Sequence, residues 1–312
     1  LLFNSSHISV ADRAGTEFPT LSKTSTGQTI LDPGNKSFSI ELKLFVPGVV
    51  NDTQVVCQKF SPGVNHGFTL FVSQSASADT ANLHFLITSG STWLSSSAEL
   101  EKGKFNHVAA IFDKSSELNQ AELFVNLAKA PQDNQSSSGI TFGSFNFATS
   151  SLLIGTGSSV AITPSAVVTP QQTLSGAVDE FRLFHDIRTI NQQKLFAQKG
   201  IFSDDTLKLY FKFNEPSGTL GSTIASGINS IVLDSSGNSL HSSITGFDFQ
   251  LRNTASLGPA VPMKYEKLEF NPILFPAEAN VVLLNTRFLS SASLYDSVNP
   301  NLVTKLFPQH YF

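Results

Sequence analysis

Groups able to do acid–base chemistry gather most densely in residues 175–186, SGAVDEFRLFHD. As a strand with a period of two, this stretch puts Val178, Glu180, Arg182 and Phe184 on one face, and Asp179, Phe181, Leu183 and His185 on the other. Asp179 then shares a face with two large apolar side chains, where a carboxylate is costly unless something pairs with it. The adjacent acids Asp179 and Glu180 point to opposite faces, so they cannot flank one glycosidic bond as a hydrolytic pair. Glu180 and Arg182 read as a solvated or interfacial ion pair.

The other reactive residue types are scattered. His107 shares a strand face with Phe105, Ala109 and Ile111, and no second His, Cys or acid stands beside it at metal spacing, so it reads as a packed histidine. His66, in VNHG, reads as a turn residue, and Cys57 as a small hydrophobe behind Val55 and Val56. Trp93, in SGSTWLSSS, is a stacking platform flanked by hydroxyls that could bond a sugar; the competing reading is inward packing.

Composition narrows the partners. Lys and Arg number 20 against 24 Asp and Glu, a net charge of −4 that gives no reason to expect nucleic acid or an anionic membrane. Charged residues are 14% of the chain, under the roughly 25% usual in globular proteins, which suits a surface packed against neighbours. With 27 Phe but 4 Tyr and 1 Trp, most aromatic mass lacks a polar handle and belongs in cores or dry interfaces. A single Cys excludes an internal disulfide framework. No apolar run reaches the length of a membrane helix, so no membrane insertion is expected.

The elements that must position these residues are short strands. Residues 1–12 predict a hairpin, with Asn4-Ser5-Ser6 as its turn. Strict alternation follows in FSIELKLFVPG, GFTLFVSQ, LHFLIT, FNHVAAIFD and AELFVNLAKA, with Gly, Ser, Asn or Asp clusters between them. That pattern calls for antiparallel sheets packed face to face. One helix start stands out in TINQQKLFA, with Thr189 as cap, Gln192 three residues on, and about two turns to follow. LKLYFKFNE resumes the alternation from residue 207, and the run 234–238, DSSGN, is a turn signal. Beyond residue 255 six prolines and scattered apolar residues predict an extended arm too apolar to remain solvated.

Taken together these segments resemble the laminin-G-like, concanavalin A-like jelly-roll family. FNSSHISVAD matches its opening segment, FSIELKLFVPG its "F-T-I-E-x-W-V-x-P" strand, GKFNHVAAIFD its "G-x-W-H-H-V-A" strand, and SLLIGTG its "L-x-I-G". AELFVNLAKA resembles "L-x-L-Y-V-N-G-x-x-x-A", and GAVDEFRLFHDIRTINQQKLF the closing "G-x-I-D-E-V-R-I-Y-x-R-x-L" strand and helix. Phe105, Asn106 and Leu127 depart from the family's Trp, His and turn Gly.

The resemblance implies an all-β fold: a two-sheet antiparallel jelly-roll sandwich over 1–254, with a core in 1–200, completing strands in 207–250, and 255–312 as an extended C-terminal arm or the start of a further module. It implies a structural Ca²⁺ near the rim, held by Asp179, Asp234 and Asn238, in competition with Asp179 capping a backbone turn and Asp234 initiating an Asx-turn. Glycosidases of this fold carry E-x-D-x-E, which is absent here, so no enzyme is expected. The tail NPNLVTKLFPQHYF resembles tailed-bacteriophage virion proteins. The expected function is therefore a virion structural and interaction protein, bound to other virion subunits or copies of itself through the arm and contacting host or glycan. The alternative is a secreted or cell-surface carbohydrate-binding adhesin module.

Overall fold

The alternating runs become strands because a period of two gathers most of their large apolar residues on one face, which must be covered. A computed structural model describes residues 1–11, 29–50, 52–115, 119–130, 135–136, 141–145, 150–163, 166–170, 172–201, 204–215 and 230–252. The strands are β1 (Leu2–Phe3), β2 (His7–Val10), β3 (Phe38–Phe45), β4 (Gln54–Ser61), β5 (His66–Gln74), β6 (Thr80–Ser89) and β7 (Thr92–Glu101). They continue as β8 (Phe105–Asp113), β9 (Gln120–Val125), β10 (Ala128–Lys129), β11 (Gln135–Ser136), β12 (Leu152–Ile154), β13 (Val160–Thr163) and β14 (Ala166–Val168). Last come β15 (Gln172–Thr173), β16 (Gly176–Phe184), helix α1 (Ile190–Phe196), β17 (Leu207–Phe211), β18 (Ile231–Val232) and β19 (Ser242–Thr245). The predicted arm, 255–312, lies outside the described residues.

Two sheets form a sandwich, as expected of a jelly roll. The first runs β1–β16–β3–β8–β9–β10, and β17 shares with β1 the edge of β16 away from β3. The second runs β11–β7–β6–β5–β4–β12–β2–β19–β18. Described pairings are antiparallel except for the short β15–β4 contact. Phe38, Ile40, Leu42 and Leu44 of β3 face inward with Val108, Ala110 and Phe112 of β8, and meet Phe68, Leu70, Leu83 and Phe85 from the second sheet. Phe38 sits at the centre, its ring centroid 5.0 to 6.2 Å from those of Phe68, Phe85, Phe112 and Phe145. Tilted and edge-on pairs of this kind add about 0.5–1.5 kcal/mol each beyond area burial.

The opening segment is not a hairpin. β1 pairs with β16 in the first sheet and β2 with β12 and β19 in the second, so the chain crosses between sheets at Asn4-Ser5-Ser6. Ser5 makes the turn at φ 54°, and Ser6 is fully buried. Gly155, of the "L-x-I-G" motif, fits against this crossing: its φ is 86°, and a Cβ would stand 2.4 Å from the Phe3 ring. Only glycine tolerates both conditions.

Two features position everything discussed below. The first is a β-bulge in β16, where Asp179 pairs with Lys43 but Arg182 pairs with Glu41, leaving Glu180 and Phe181 opposite a single residue of β3. Glu180 adopts φ 53° there. The second is α1, which starts on a capping box: the Thr189 hydroxyl accepts from the Gln192 backbone and the Gln192 side chain accepts from the Thr189 backbone. The helix lasts seven residues, the two turns read from the sequence. Ile187 and Ile190 lay it over Ala109, Ile111 and Phe124 on the outer face of the first sheet.

Candidate functional site

The bulge corrects the face assignment of the acids. Val178 points into the core, Asp179 turns outward opposite Lys43, and inward packing resumes at Phe181 and Leu183. Asp179 therefore does not share the face of Phe181 and Leu183, because one extra residue at Glu180 resets the alternation. Both Asp179 and Glu180 lie on the outer side, rather than on opposite faces. Burial pushes the Asp179 carboxyl up, and the Lys43 ammonium acts against that shift.

Glu180 and Arg182 are not a solvated pair. Arg182 is 2% exposed; its guanidinium donates to Glu180 Oε2 at 2.8 Å, to the Phe196 carbonyl at 2.9 Å and to the Lys199 carbonyl at 2.7 Å. The Tyr210 hydroxyl donates to the same Glu180 oxygen, and its ring lies 4.9 Å from the guanidinium carbon. Arg188 continues the network: its Nε donates to Glu41 Oε1 at 2.9 Å, and its guanidinium covers the Phe184 ring at 4.2 Å. Glu41 itself is 1% exposed and also faces Arg182 at 3.6 Å. This arrangement clamps α1 and β17 onto the sheet, and its carboxylates are committed to cations. It offers no free acid–base pair to a substrate.

The calcium donors implied by the resemblance are engaged in protein hydrogen bonds. Asp234 Oδ1 accepts from the backbone of Tyr210 and Ser236, at 3.0 and 2.9 Å, and Oδ2 from the backbone of Leu240 and the Ser236 hydroxyl, at 3.0 and 2.8 Å. The bond from Ser236 N makes an Asx-turn that docks residues 234–238 onto β17. Asn238 Nδ2 donates to the Lys208 carbonyl at 2.9 Å. Asp179 stands elsewhere, opposite Lys43. A donor set so occupied does not fit a cation that needs about six to eight oxygens. Among the described residues no three His, Cys, Asp or Glu side chains gather to hold a metal.

Trp93 falls on the outer face of the second sheet, in β7, half-buried. It packs against the cluster of Val55, Phe60, Phe71 and Leu86, which the β13–β14 hairpin covers through Val160, Ile162 and Val168. Beyond the hairpin the face is polar and partly exposed: Ser95 and Ser97 on β7, Asn82 and His84 on β6, Ser73 on β5. His84 stacks on Phe71 at 4.7 Å and 17°, and its Nε2 bonds Ser73 Oγ at 2.9 Å. Burial holds its imidazole pKa below the usual value. The strip thus combines hydroxyls, an amide, a neutral imidazole and aromatic ring surface, a set that forms hydrogen bonds without fixed charge. Sequence reasoning found Trp93 from its hydroxyl neighbours; His84 and Ser73 carried no signal, since their partners come from other strands.

His107 faces outward with Phe105, Ala109 and Ile111, as the alternation predicts, while Val108 and Ala110 fill the sandwich core. It lines a half-open cleft of about 190 Å³ between the first sheet and the end of α1, together with Lys43, Phe105, Asn126, Leu127 and Gln198. Cys57 is fully buried, and burial raises its thiol well above the usual range.

A sandwich of two antiparallel sheets, closed by a strand and short helix, has the architecture of a lectin-like domain. Residues 20–193, more than half of the chain, match the Laminin_G_3 model of the concanavalin A-like lectin/glucanases superfamily, and the chain belongs to that family. No curated protein matches the chain. Among solved structures it is similar to a protein from Bacteroides ovatus provisionally described as carbohydrate-binding, with TM-score 0.48 and 17% identity, over 78% of this chain and 57% of that one. It therefore spans little more than half the length of that protein. It is also similar to the CBM40 of a Ruminococcus gnavus sialidase bound to sialyllactose, with TM-score 0.39 and 12% identity over 62% of this chain and 92% of that one. A tailspike of Escherichia coli O157:H7 bacteriophage CAB120 gives TM-score 0.36 and 13% identity over 62% of this chain and 28% of that one. All three scores lie below 0.5, so the family assignment rests on the sequence match.

Proposed function

We propose that the chain is a non-enzymatic recognition module that contacts glycans through the outer face of its second sheet. The observation that carries this reading is the strip of Trp93, Ser95, Ser97, His84, Asn82 and Ser73, partly exposed on adjacent strands of one sheet. Sugars present hydroxyls that both donate and accept, over an apolar ring face, and such a strip answers both. Glu180 is held by Arg182 and Tyr210, and the E-x-D-x-E string of hydrolytic relatives does not occur, which supports binding without cleavage.

The apolar character of residues 255–312 supports a further part of the reading, that the module is fastened to a larger assembly such as a virion. Segments of this kind cannot offset their ordering entropy alone and gain it back by burial against neighbouring subunits. A glycan array probed with and without chelator tests the recognition reading: binding insensitive to chelator, lost in Trp93→Ala, is the expected result, and no binding in either condition removes it. Truncation at residue 255 tests the anchor. Assembly onto particles by the truncated chain would sink that part alone.

A further inference from the structure

The second sheet ends at β18, where two backbone groups are bonded by side chains instead of by a strand. Ile244 N donates to the Ser230 carbonyl and Ile231 stands opposite Ser243, so the backbone groups of Ser230 and Val232 point toward β19. Those of Ile231 and Leu233 therefore point away from β19, and among the described residues no strand pairs with β18 on that side. The Leu233 N–H donates instead to Glu215 Oε1 at 2.7 Å, and the Ile231 carbonyl accepts from Arg252 Nη2 at 2.7 Å. Arg252 Nη1 in turn donates to Glu215 Oε2 at 2.7 Å, and the two side chains are 2% and 10% exposed. In a parallel sheet one residue accepts from position i+1 of its neighbour and donates to position i−1. The carboxylate and guanidinium do the same at positions 233 and 231, so together they occupy the edge as one residue of a parallel strand would.

What the pair keeps out follows from the edge itself. Val232 is buried, whereas Ile231 and Leu233 on either side of it are 36% and 49% exposed. An edge that offers unpaired backbone groups beside exposed apolar side chains is a template for another chain. This one complements itself. About a two-fold axis through Val232, the Leu233 N–H of one copy meets the Ile231 carbonyl of the other in an antiparallel pair, and the reverse. Ile231 of each copy then lies opposite Leu233 of the other, and the apolar side chains cover one another. The two groups this pairing needs are the two that Glu215 and Arg252 hold.

We propose that Glu215 and Arg252 form a surrogate strand residue that bars β18 from pairing with β18 of a second copy. Disulfide trapping on the full chain tests it, with one preparation carrying Ile231→Cys and the other Leu233→Cys. The antiparallel register brings these positions directly opposite, about 5.5 Å apart at Cα and within disulfide reach. Cys57 is fully buried and does not compete. The mixed preparations should cross-link about tenfold more when both also carry Glu215→Ala and Arg252→Ala than in the parent background. Removing both side chains leaves no buried charge stranded. Neither preparation alone should show that gain, which separates pairing at this edge from assembly through any other surface. Glu215→Gln, whose amide oxygen still accepts from Leu233, should stay near the parent level. Should the double variant fail to fold, Glu215→Leu with Arg252→Met keeps the volume without the hydrogen bonds and is read in the same way. Equal cross-linking in variant and parent backgrounds, a gain that Glu215→Gln reproduces in full, or trapping within single preparations to the same extent as in the mixture would each overturn the proposal.

Discussion

The two sheets present outer faces of opposite character although both strand sets alternate in the same way. On the first sheet the outward positions of β3 and β16 are Glu41, Lys43, Arg182 and Asp179, yet Glu41 and Arg182 are 1% and 2% exposed because α1 and the residues after it lie over them. On the second sheet the outward positions of β5, β6 and β7 beyond the β13–β14 hairpin are mostly Ser, Asn and His, partly exposed, with Glu99 and Glu101 exposed at the end of β7. Buried charge is therefore found where the sheet is covered, and where it is open the polarity is mostly neutral, with Glu99 and Glu101 left in solvent. Covered charges direct a helix and an edge strand to one place, since each guanidinium must find specific oxygens. Open neutral groups leave a surface free to exchange water for hydroxyl-bearing ligands.

The contrast breaks most forcefully at Glu41. Replacing it in Glu41→Ala leaves Arg188 and Arg182 buried without their shared acid, and denaturant unfolding should show a loss of about 3–5 kcal/mol. Ser97→Ala, on the open face, should change stability by no more than about 0.5 kcal/mol. An equal effect of the two substitutions would erase the distinction between the faces.

Acid offers a second probe. Burial holds the His185 imidazole neutral, lowering its pKa from 6.5 to about 3, with the ammonium groups of Lys208, Lys36 and Lys59 contributing. The unfolded chain takes up this proton as pH falls through 6.5, and the folded chain refuses it down to about 3. Its contribution is thus intact above pH 6.5 and is lost on acidification through that window, by up to about 1.4 kcal/mol per pH unit. His185→Gln should flatten the melting temperature against pH in that window relative to the parent, and identical slopes would refute the assignment.

Smaller effects address how the cover is held. Thr189→Ala removes half of the capping box and should cost about 1 kcal/mol, with faster amide exchange in Ile190–Phe196 and no change on β6 or β7. Leu127→Gly relieves a left-handed leucine against the extra chain entropy of glycine. A gain of about 0.5–1 kcal/mol in a chemical melt is expected.

Much of the sandwich was legible because a period of two requires only local information. β3, β5, β6 and β8 each send alternate residues into the core, and the Thr189–Gln192 pair announced α1 without tertiary help. The bulge in β16 was not legible: Glu180 at φ 53° is neither Gly nor Asn, so nothing in its type signals an extra residue. Every face assignment N-terminal to it consequently slipped by one, and Asp179 was placed inside. The first twelve residues failed for a related reason. Asn4-Ser5-Ser6 has turn chemistry, but whether a turn reverses a strand or carries it to the facing sheet depends on which partners arrive later. Glu180 and Arg182 were read as a solvated or interfacial pair because their cover comes from α1 and β17, up to 28 residues away. Asp234 and Asn238 were recognisable as a turn, whereas the backbone groups that use up the Asp234 oxygens belong partly to β17 and could not be inferred.

The crossing at Ser5 also governs when the molecule can finish folding. β1 waits for Gly176 and Ala177, and β2 for Leu152–Ile154 and then Ile244–Thr245, so residues 1–10 find their last partners only after nearly the whole described chain has been made. Loops that long must close before their contacts reward them, which places this topology among slow, millisecond-to-second folders. Until then the β12 and β16 edges stay open, and a nascent or truncated chain is exposed to pairing with another copy at those edges.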